Sequence, residues 1–231
     1  QVSISSSNKA QIEQAKKKIV EETKGKVLSF TADVRSGEAI ERWRDATLGE
    51  FGGIDGLFSN SGGPSAGEFM ALGDPKWQEG FELLVLSAIR MARAVIPSMK
   101  TRGGGSIVFS TSSSVKEPIP NLTLSNVLRG SVSALSKTLS KELAPFNIRV
   151  NQVMPGRIDT DRVRSLDALN AEKGGVSVEE VEKRNLAAIP LARYGEPDEF
   201  ARGAVFLLSP ASSYITGATL QIDGGYLKSV L

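Results

Sequence analysis

Short runs of branched and aromatic residues alternate along this chain with longer stretches in which apolar side chains recur every three or four positions. The short runs fall at Val2–Ser6, Val27–Ala32, Gly56–Ser59, Ser106–Ser110, Ile148–Val153 and Leu220–Asp223, and their length and composition predict strands. Helical patterns lie between them. One runs from about Lys9 to Thr23 behind Asn8, with Ile12, Ala15 and Ile19 on one face; Asn is a residue suited to the cap. A second begins near Ser36. A third follows Asp74-Pro75, where Asp suits the cap and Pro the first turn. A fourth, Ser125 to Leu143, presents Leu128, Val132, Leu135 and Leu139, and a last follows Glu196-Pro197. This alternation predicts a single α/β domain over residues 1–231, a doubly wound, Rossmann-like parallel sheet covered on both faces. No internal repeat, low-complexity tract or linker interrupts it.

Composition narrows the chemistry. With 40% hydrophobic and 23% charged residues in 231, the chain has the make-up of an ordinary globular domain with a substantial core. A net charge of +2 gives no footprint for nucleic acid or a membrane surface, so neither is expected as a partner. No apolar run approaches the length of a bilayer span and no signal-peptide pattern is visible, which makes cytoplasmic the default location. The absence of Cys excludes disulfides and thiolate nucleophiles. There is no His either, so the commonest acid–base group near neutral pH and the commonest transition-metal ligand are missing. A Ser-His-Asp hydrolase is excluded, and no metal site is expected.

The most informative stretch is Ile107-Val108-Phe109-Ser110-Thr111-Ser112, a turn-rich passage ending at Pro120, and then Leu124-Ser125-Asn126-Val127-Leu128-Arg129. An apolar run ending in hydroxyls, followed by a loop and a small-residue helix, resembles the core of the short-chain dehydrogenase/reductase family. Other motifs carry the same resemblance in order. They are Thr31-Ala32-Asp33-Val34, Leu57-Phe58-Ser59-Asn60-Ser61-Gly62-Gly63, Asn151-Gln152-Val153-Met154-Pro155-Gly156-Arg157-Ile158-Asp159-Thr160, Ile215-Thr216-Gly217 and Ile222-Asp223-Gly224-Gly225. The resemblance spans essentially the whole chain.

It implies a nicotinamide-dependent oxidoreductase of the 3-oxoacyl-(acyl-carrier-protein) reductase-like kind, acting on a small-molecule or acyl-thioester carbonyl. Cofactor contacts are implied at Asp33 and Val34 beside the adenine, at Asn60, Ser61 and Gly62, at Arg129 on the ribose, and at Pro155, Gly156, Ile158 and Thr160 around the carboxamide. Asn60 is suited to tie neighbouring strands together. Asp33 reads equally well as the cap of a turn. The strand Val2–Ser6 runs into Ser7, Asn8 and Lys9 with no acidic residue. That favours NADP(H) over NAD(H), because hydroxyls, an amide and an ammonium suit a 2′-phosphate better than a diol. Ser7 and Asn8 are also simple helix caps.

The catalytic pattern departs from the family at three of four positions. The family's Ser matches Ser112. Its Tyr position, thirteen residues on, holds Ser125; its Lys position holds Arg129; its Asn position falls on Leu84. A Ser hydroxyl is far less acidic than a phenol of pKa about 10, and an Arg does not pass protons as Lys does. Ser112, Ser125 and Arg129 are the remaining candidates for catalysis. Among other groups, Lys116 and Glu117 are the nearest titratable residues, unless they form a solvated loop pair, and Ser110 to Ser114 form a row of hydroxyls. Tyr194, Tyr214 and Tyr226 do not precede a Lys or Arg by four positions on a helix, and only Tyr226 would reach a neighbouring subunit. The alternatives to an enzyme are a dinucleotide-binding sensor or partner protein, and a scaffold that binds no nucleotide.

The resemblance carries three further expectations. A strand and Gly-rich turn of roughly 30 residues precede Val2 in the family, and that strand sits mid-sheet. A Gly-x-x-x-Gly-x-Gly turn is therefore expected upstream, and without it the sheet has a central gap and two unpaired edges. Residues 161–191 are expected to form a mobile substrate lid hinged at Glu172-Lys173-Gly174-Gly175. The helices starting near Asp74 and Ser125 are those that pair in family homodimers and homotetramers.

Overall fold

The computed structural model describes residues 1–230. The strands are β1 (Val2–Ser6), β2 (Val27–Thr31), β3 (Gly56–Ser59), β4 (Gly105–Ser110), β5 (Ile148–Pro155) and β6 (Thr219–Ile222). The helices are α1 (Lys9–Thr23), α2 (Gly37–Phe51), α3 (Asp74–Phe81), α4 (Ser87–Thr101), α5 (Thr123–Glu142), α6 (Asp161–Gly174), α7 (Val178–Ala187) and α8 (Pro197–Leu208). All strand pairings are parallel, in a four-stranded sheet ordered β3-β4-β5-β6 and a two-stranded sheet of β1 and β2.

β4 explains the layering. Its residues Ile107, Val108 and Phe109 are wholly inaccessible, as a strand covered on both faces requires. Successive side chains point to opposite faces. Ile107 and Phe109 join Met91, Val95, Met99, Leu124 and Leu128 from α4 and α5, while Val108 joins Val153, Ala204 and Leu207 under α8. The helices start where capping chemistry allows. Asn8 Oδ1 accepts the Gln11 N–H at 3.1 Å, Ser36 Oγ accepts that of Ala39, and Ser177 Oγ accepts that of Glu180.

Several expectations need correction. Asp74 is the first residue of α3 rather than its cap; Gly73 takes that place and Pro75 sits in the first turn. The third predicted helix is not regular. A π-helical segment, Glu82–Leu86, separates α3 from α4. The fourth helix begins at Thr123 rather than Ser125, and a bridge between Gly67 and Leu122 fixes its start. Residues 161–191 hold two regular helices. Gly175, left-handed at φ 62°, ends α6; glycine enters that region without the penalty a side chain carries.

Between the two sheets lies a cleft of about 650 Å3 lined by Ser3, Ser5, Ile40, Leu57, Phe58 and Met91. Among the described residues no helix is long and apolar enough to cross a membrane.

Candidate active site

The site forms at the carboxyl ends of β4 and β5, where parallel sheets place their ligands. Beyond Ser110 the chain stays extended, and Thr111 is locked by its N–H and its hydroxyl, both donating to Val153 O at 2.9 and 3.1 Å. Ser112 then caps a short 3-10 turn, Ser113–Val115, its Oγ accepting the Ser114 N–H at 3.2 Å. Ser110, Thr111, Ser113 and Ser114 are buried; Ser112 alone of the row is not. The hydroxyl row thus reduces to one group able to meet a substrate oxygen.

Helix α5 packs against that turn. Asn126 orients the two elements: its Oδ1 accepts the Ile119 N–H at 3.2 Å and its Nδ2 donates to Ile119 O at 3.0 Å. Ser125 is half-buried, and its hydroxyl makes no hydrogen bond among the described residues. One turn on, Arg129 Nη1 donates to Ser110 O at 2.7 Å. Ser112 and Arg129 are therefore anchored to the same strand end, and Ser125 lies one turn away. Burial lowers the Arg129 guanidinium to about 10, with the charge of Arg162 adding to the shift. It remains a cation at neutral pH. Leu84 lies within the π segment, 3% exposed and packed in the main core, where it can anchor no water.

The cofactor positions divide. Gly156 leaves no room for a side chain, since a Cβ there would lie 2.7 Å from Asp223 Cα. The turn after it is held by Gly195, which donates to Arg157 O at 2.9 Å and accepts from Asp159 at 2.8 Å. This parallel bridge passes over Ile158, whose own N–H has no partner among the described residues. Thr160 Oγ1 caps α6, accepting from Val163 at 3.4 Å while donating to Ile158 O at 3.3 Å. Pro155 ends β5 beside this turn. Gly62 is exposed, with open space where a side chain would stand, and Ser61 beside it is half-buried. An N–H without a partner, a side-chain-free approach at Gly62 and a cationic Arg129 fit a nicotinamide dinucleotide.

The remaining positions lie around the cleft and the first helix. Asn60 is exposed at the end of β3 and lines the cleft. Asp33 is paired with Arg35 at 2.7 Å, which lowers its pKa first through the side-chain hydrogen bond; the turn-cap reading holds. Val34 lines the cleft. Asn8 caps α1, and Ser7 is exposed beside it. Lys116 and Glu117 both have partners: Lys116 Nζ donates to Gln221 Oε1 at 2.9 Å, and Glu117 Oε1 accepts the Lys228 N–H at 2.7 Å. They fasten the C-terminal segment. Tyr214 is fully exposed.

Two arrangements were not foreseen. Asp167 on α6 is 3% exposed and accepts from Arg157 at 2.8 Å, Asn185 at 2.9 Å and Tyr194 at 2.7 Å. This pins the base of both helices in the supposed lid. Arg162 reaches from the start of α6 to donate to Pro64 O at 3.0 Å. Both were isolated charges on a polar helix, with no spacing signal to separate them from solvated ones.

Residues 1–227 match a family model described as enoyl-(acyl carrier protein) reductase. Human dehydrogenase/reductase SDR family member 4 is 37% identical over 228 residues, covering 97% of this chain and 77% of its own length. The 3-oxoacyl-[acyl-carrier-protein] reductase of Chlamydia trachomatis is 32% identical over 214 residues, 92% of this chain and 82% of the relative. Gluconobacter frateurii L-sorbose reductase, solved with NADPH and L-sorbose, superposes with a TM-score of 0.93 at 30% identity, covering 99% of this chain and 87% of that one. The chain belongs to the short-chain dehydrogenase/reductase family.

Proposed function

We propose that this protein is an NADP(H)-dependent oxidoreductase that transfers hydride between the nicotinamide and a carbonyl or alcohol carbon. A 3-oxoacyl-thioester or similar small carbonyl compound is its substrate class. The observation that carries this reading is the anchoring of Ser112 and Arg129 at the end of β4, which pairs with β5, the strand whose following turn leaves the Ile158 N–H without a partner among the described residues. Hydride donation or acceptance is the chemistry the cofactor supplies when bound. Ile158 N–H and Thr160 would hold the carboxamide, Arg129 the ribose, and Ser7 and Asn8 the 2′-phosphate. Asp33 and Val34 would flank the adenine, while Asn60, Ser61 and Gly62 line the approach. The NADPH held by L-sorbose reductase agrees with this preference.

Ser112 Oγ donates to the reacting oxygen and orients it. The proton comes from Ser125 or from a water held by it, because neither Arg129 nor Leu84 can pass one. General acid–base assistance contributes roughly 10²–10⁴-fold in rate, so turnover is slow rather than absent. Helices α6 and α7 cover the substrate as a lid. A homodimer or homotetramer would pair through α3 and α5, a reading supported by the exposed apolar residues Phe81 and Val127 on them, at 44% and 51%. A cytoplasmic location fits this assignment.

The test is NADPH oxidation by the purified protein across small ketones and 3-oxoacyl thioesters, with Ser112→Ala as control. Turnover that Ser112→Ala abolishes supports the enzyme. Saturable NADPH binding with no turnover across the panel would favour the second reading, a dinucleotide-binding sensor or partner, which the buried Leu84 motivates.

A further inference from the structure

The turn that follows β5 meets the segment leading into α8 through two backbone hydrogen bonds. Gly195 N–H donates to Arg157 O at 2.9 Å, and Asp159 N–H donates to Gly195 O at 2.8 Å. Ile158 sits inside this bridge, so close to Gly195 that a Cβ there would stand 2.9 Å from its Cδ1. The residues beside the bridge on its two sides, Arg157 and Tyr194, reach one carboxylate. Arg157 Nη1 donates to Asp167 Oδ1 at 2.8 Å, and the Tyr194 hydroxyl donates to Asp167 Oδ2 at 2.7 Å. The Arg157 guanidinium also lies 5.9 Å from the centroid of the Tyr194 ring. Asn185 of α7 completes the cluster, its Nδ2 donating to Asp167 Oδ1 at 2.9 Å and to the Tyr194 hydroxyl at 3.3 Å. Asp167 is 3% exposed, and a carboxylate so buried keeps its charge because donors surround it. Each donor comes from a different element: the turn after β5, α7, and the segment before α8.

We propose that Asp167 is a positioning residue for the nicotinamide half of the cofactor. Through Arg157 and Tyr194 it sets the bridge that orients the Ile158 N–H and Thr160, and it ties that seat to α6 and α7. This rests on the oxidoreductase reading above. The chain leaves the turn at Thr160, whose hydroxyl caps α6. About two turns later the same helix reaches back through Asp167 to grip Arg157. The turn cannot swing away without breaking a charge-assisted bond to a buried acid, and such bonds are roughly twice as strong as neutral ones. A carboxamide seated on the Ile158 N–H is therefore coupled to both helices, and movement of either helix reaches the carboxamide. The positions assigned to the adenine half, Ser7, Asn8, Asp33 and Val34, belong to other elements, so the two halves of the cofactor report separately.

The test compares the full 231-residue chain with Asp167→Asn and Tyr194→Phe, each held well below its Tm. Tyr194→Phe keeps the ring and removes one hydroxyl, so it should fold. One readout is calorimetric titration with NADPH and with adenosine 2′,5′-bisphosphate, which carries the adenine and the 2′-phosphate but no nicotinamide. The other is amide hydrogen exchange over residues 155–160 in the free protein. NADPH affinity is expected to fall roughly tenfold in Asp167→Asn and about threefold in Tyr194→Phe, with bisphosphate affinity moving less than about twofold. Exchange of the Asp159 amide, which the bridge protects, should quicken about tenfold in Asp167→Asn. Equal loss of both ligands is general damage and overturns the positioning role. NADPH affinity that falls while exchange over 155–160 stays unchanged also overturns it, because the effect then bypasses the bridge. Saturable NADPH binding that is the same in all three proteins sinks the role of Asp167 and leaves the oxidoreductase reading standing. If the unchanged protein binds neither NADPH nor NADH, that reading falls and takes this role with it.

Discussion

Arg129 Nη1 lies 2.7 Å from the carbonyl oxygen of Ser110. This contact fixes a cation at the end of the central strand, two residues before the one accessible hydroxyl of the row. In the proposed mechanism Arg129 therefore acts as a fixed cation that passes no proton, and Ser125, whose hydroxyl makes no hydrogen bond among the described residues, stands where the resemblance expects a Tyr.

Restoring the family pair tests this directly. Ser125→Tyr combined with Arg129→Lys is predicted to raise kcat by about 10²–10⁴-fold, the span of general acid–base assistance. Ser112→Ala in the same background should remove about 10²-fold, as loss of one hydrogen-bond donor to a reacting oxygen does. Steady-state NADPH oxidation reads both. No gain from the double replacement would mean that the missing phenol is not what limits the rate.

The pH dependence follows from the lowered guanidinium. Its folded pKa, about 10, lies below the ordinary guanidinium value, so the charged form is disfavoured by folding. That cost is present below pH 10 and is relieved as pH rises above it. Binding that needs the cation runs the other way. NADPH affinity is predicted to fall above about pH 10, and Arg129→Met should be weaker throughout and flat across that range. A titration from pH 7 to 11 checks the sign.

Asp167 ties α6 to Asn185 of α7, to Arg157 and to Tyr194, at the base of the proposed lid. Asp167→Ala leaves Arg157 without its counter-ion and removes the acceptor for Tyr194 and Asn185. Removing one partner of a buried pair costs roughly 3–5 kcal/mol, a drop on the order of ten degrees in Tm for a chain of this size. Asp167→Asn keeps an acceptor and should lose less. Calorimetry of both variants decides whether the lid is pinned or loose at its base.

Where sequence reading succeeded, local chemistry agreed with tertiary placement. Helix α1 spans Lys9–Thr23 as predicted because Asn8 caps it, and β4 was visible because a strand buried on both faces is continuously apolar. The parallel sheet and the position of the Pro155-Gly156 turn were legible for the same reason. The π segment around Leu84 was not, since an i→i+5 bond leaves no compositional trace. Nor was the pinning of the lid: Asp167 finds Tyr194 and Arg157 only after α6 and α7 fold back, and alone it resembles any solvated helix acid. Arg162 escaped notice for that reason too. The contacts of Lys116 and Glu117 were not legible because their partners lie more than a hundred residues away.

The account rests on a nicotinamide site surviving where its phenolic acid has been replaced. Titration of the purified protein with NADPH, followed by the enhancement of nicotinamide fluorescence, tests that most directly. Saturable binding at one site per chain, with slow oxidation on adding a carbonyl substrate, is the predicted result. A flat response to both NADPH and NADH would contradict it.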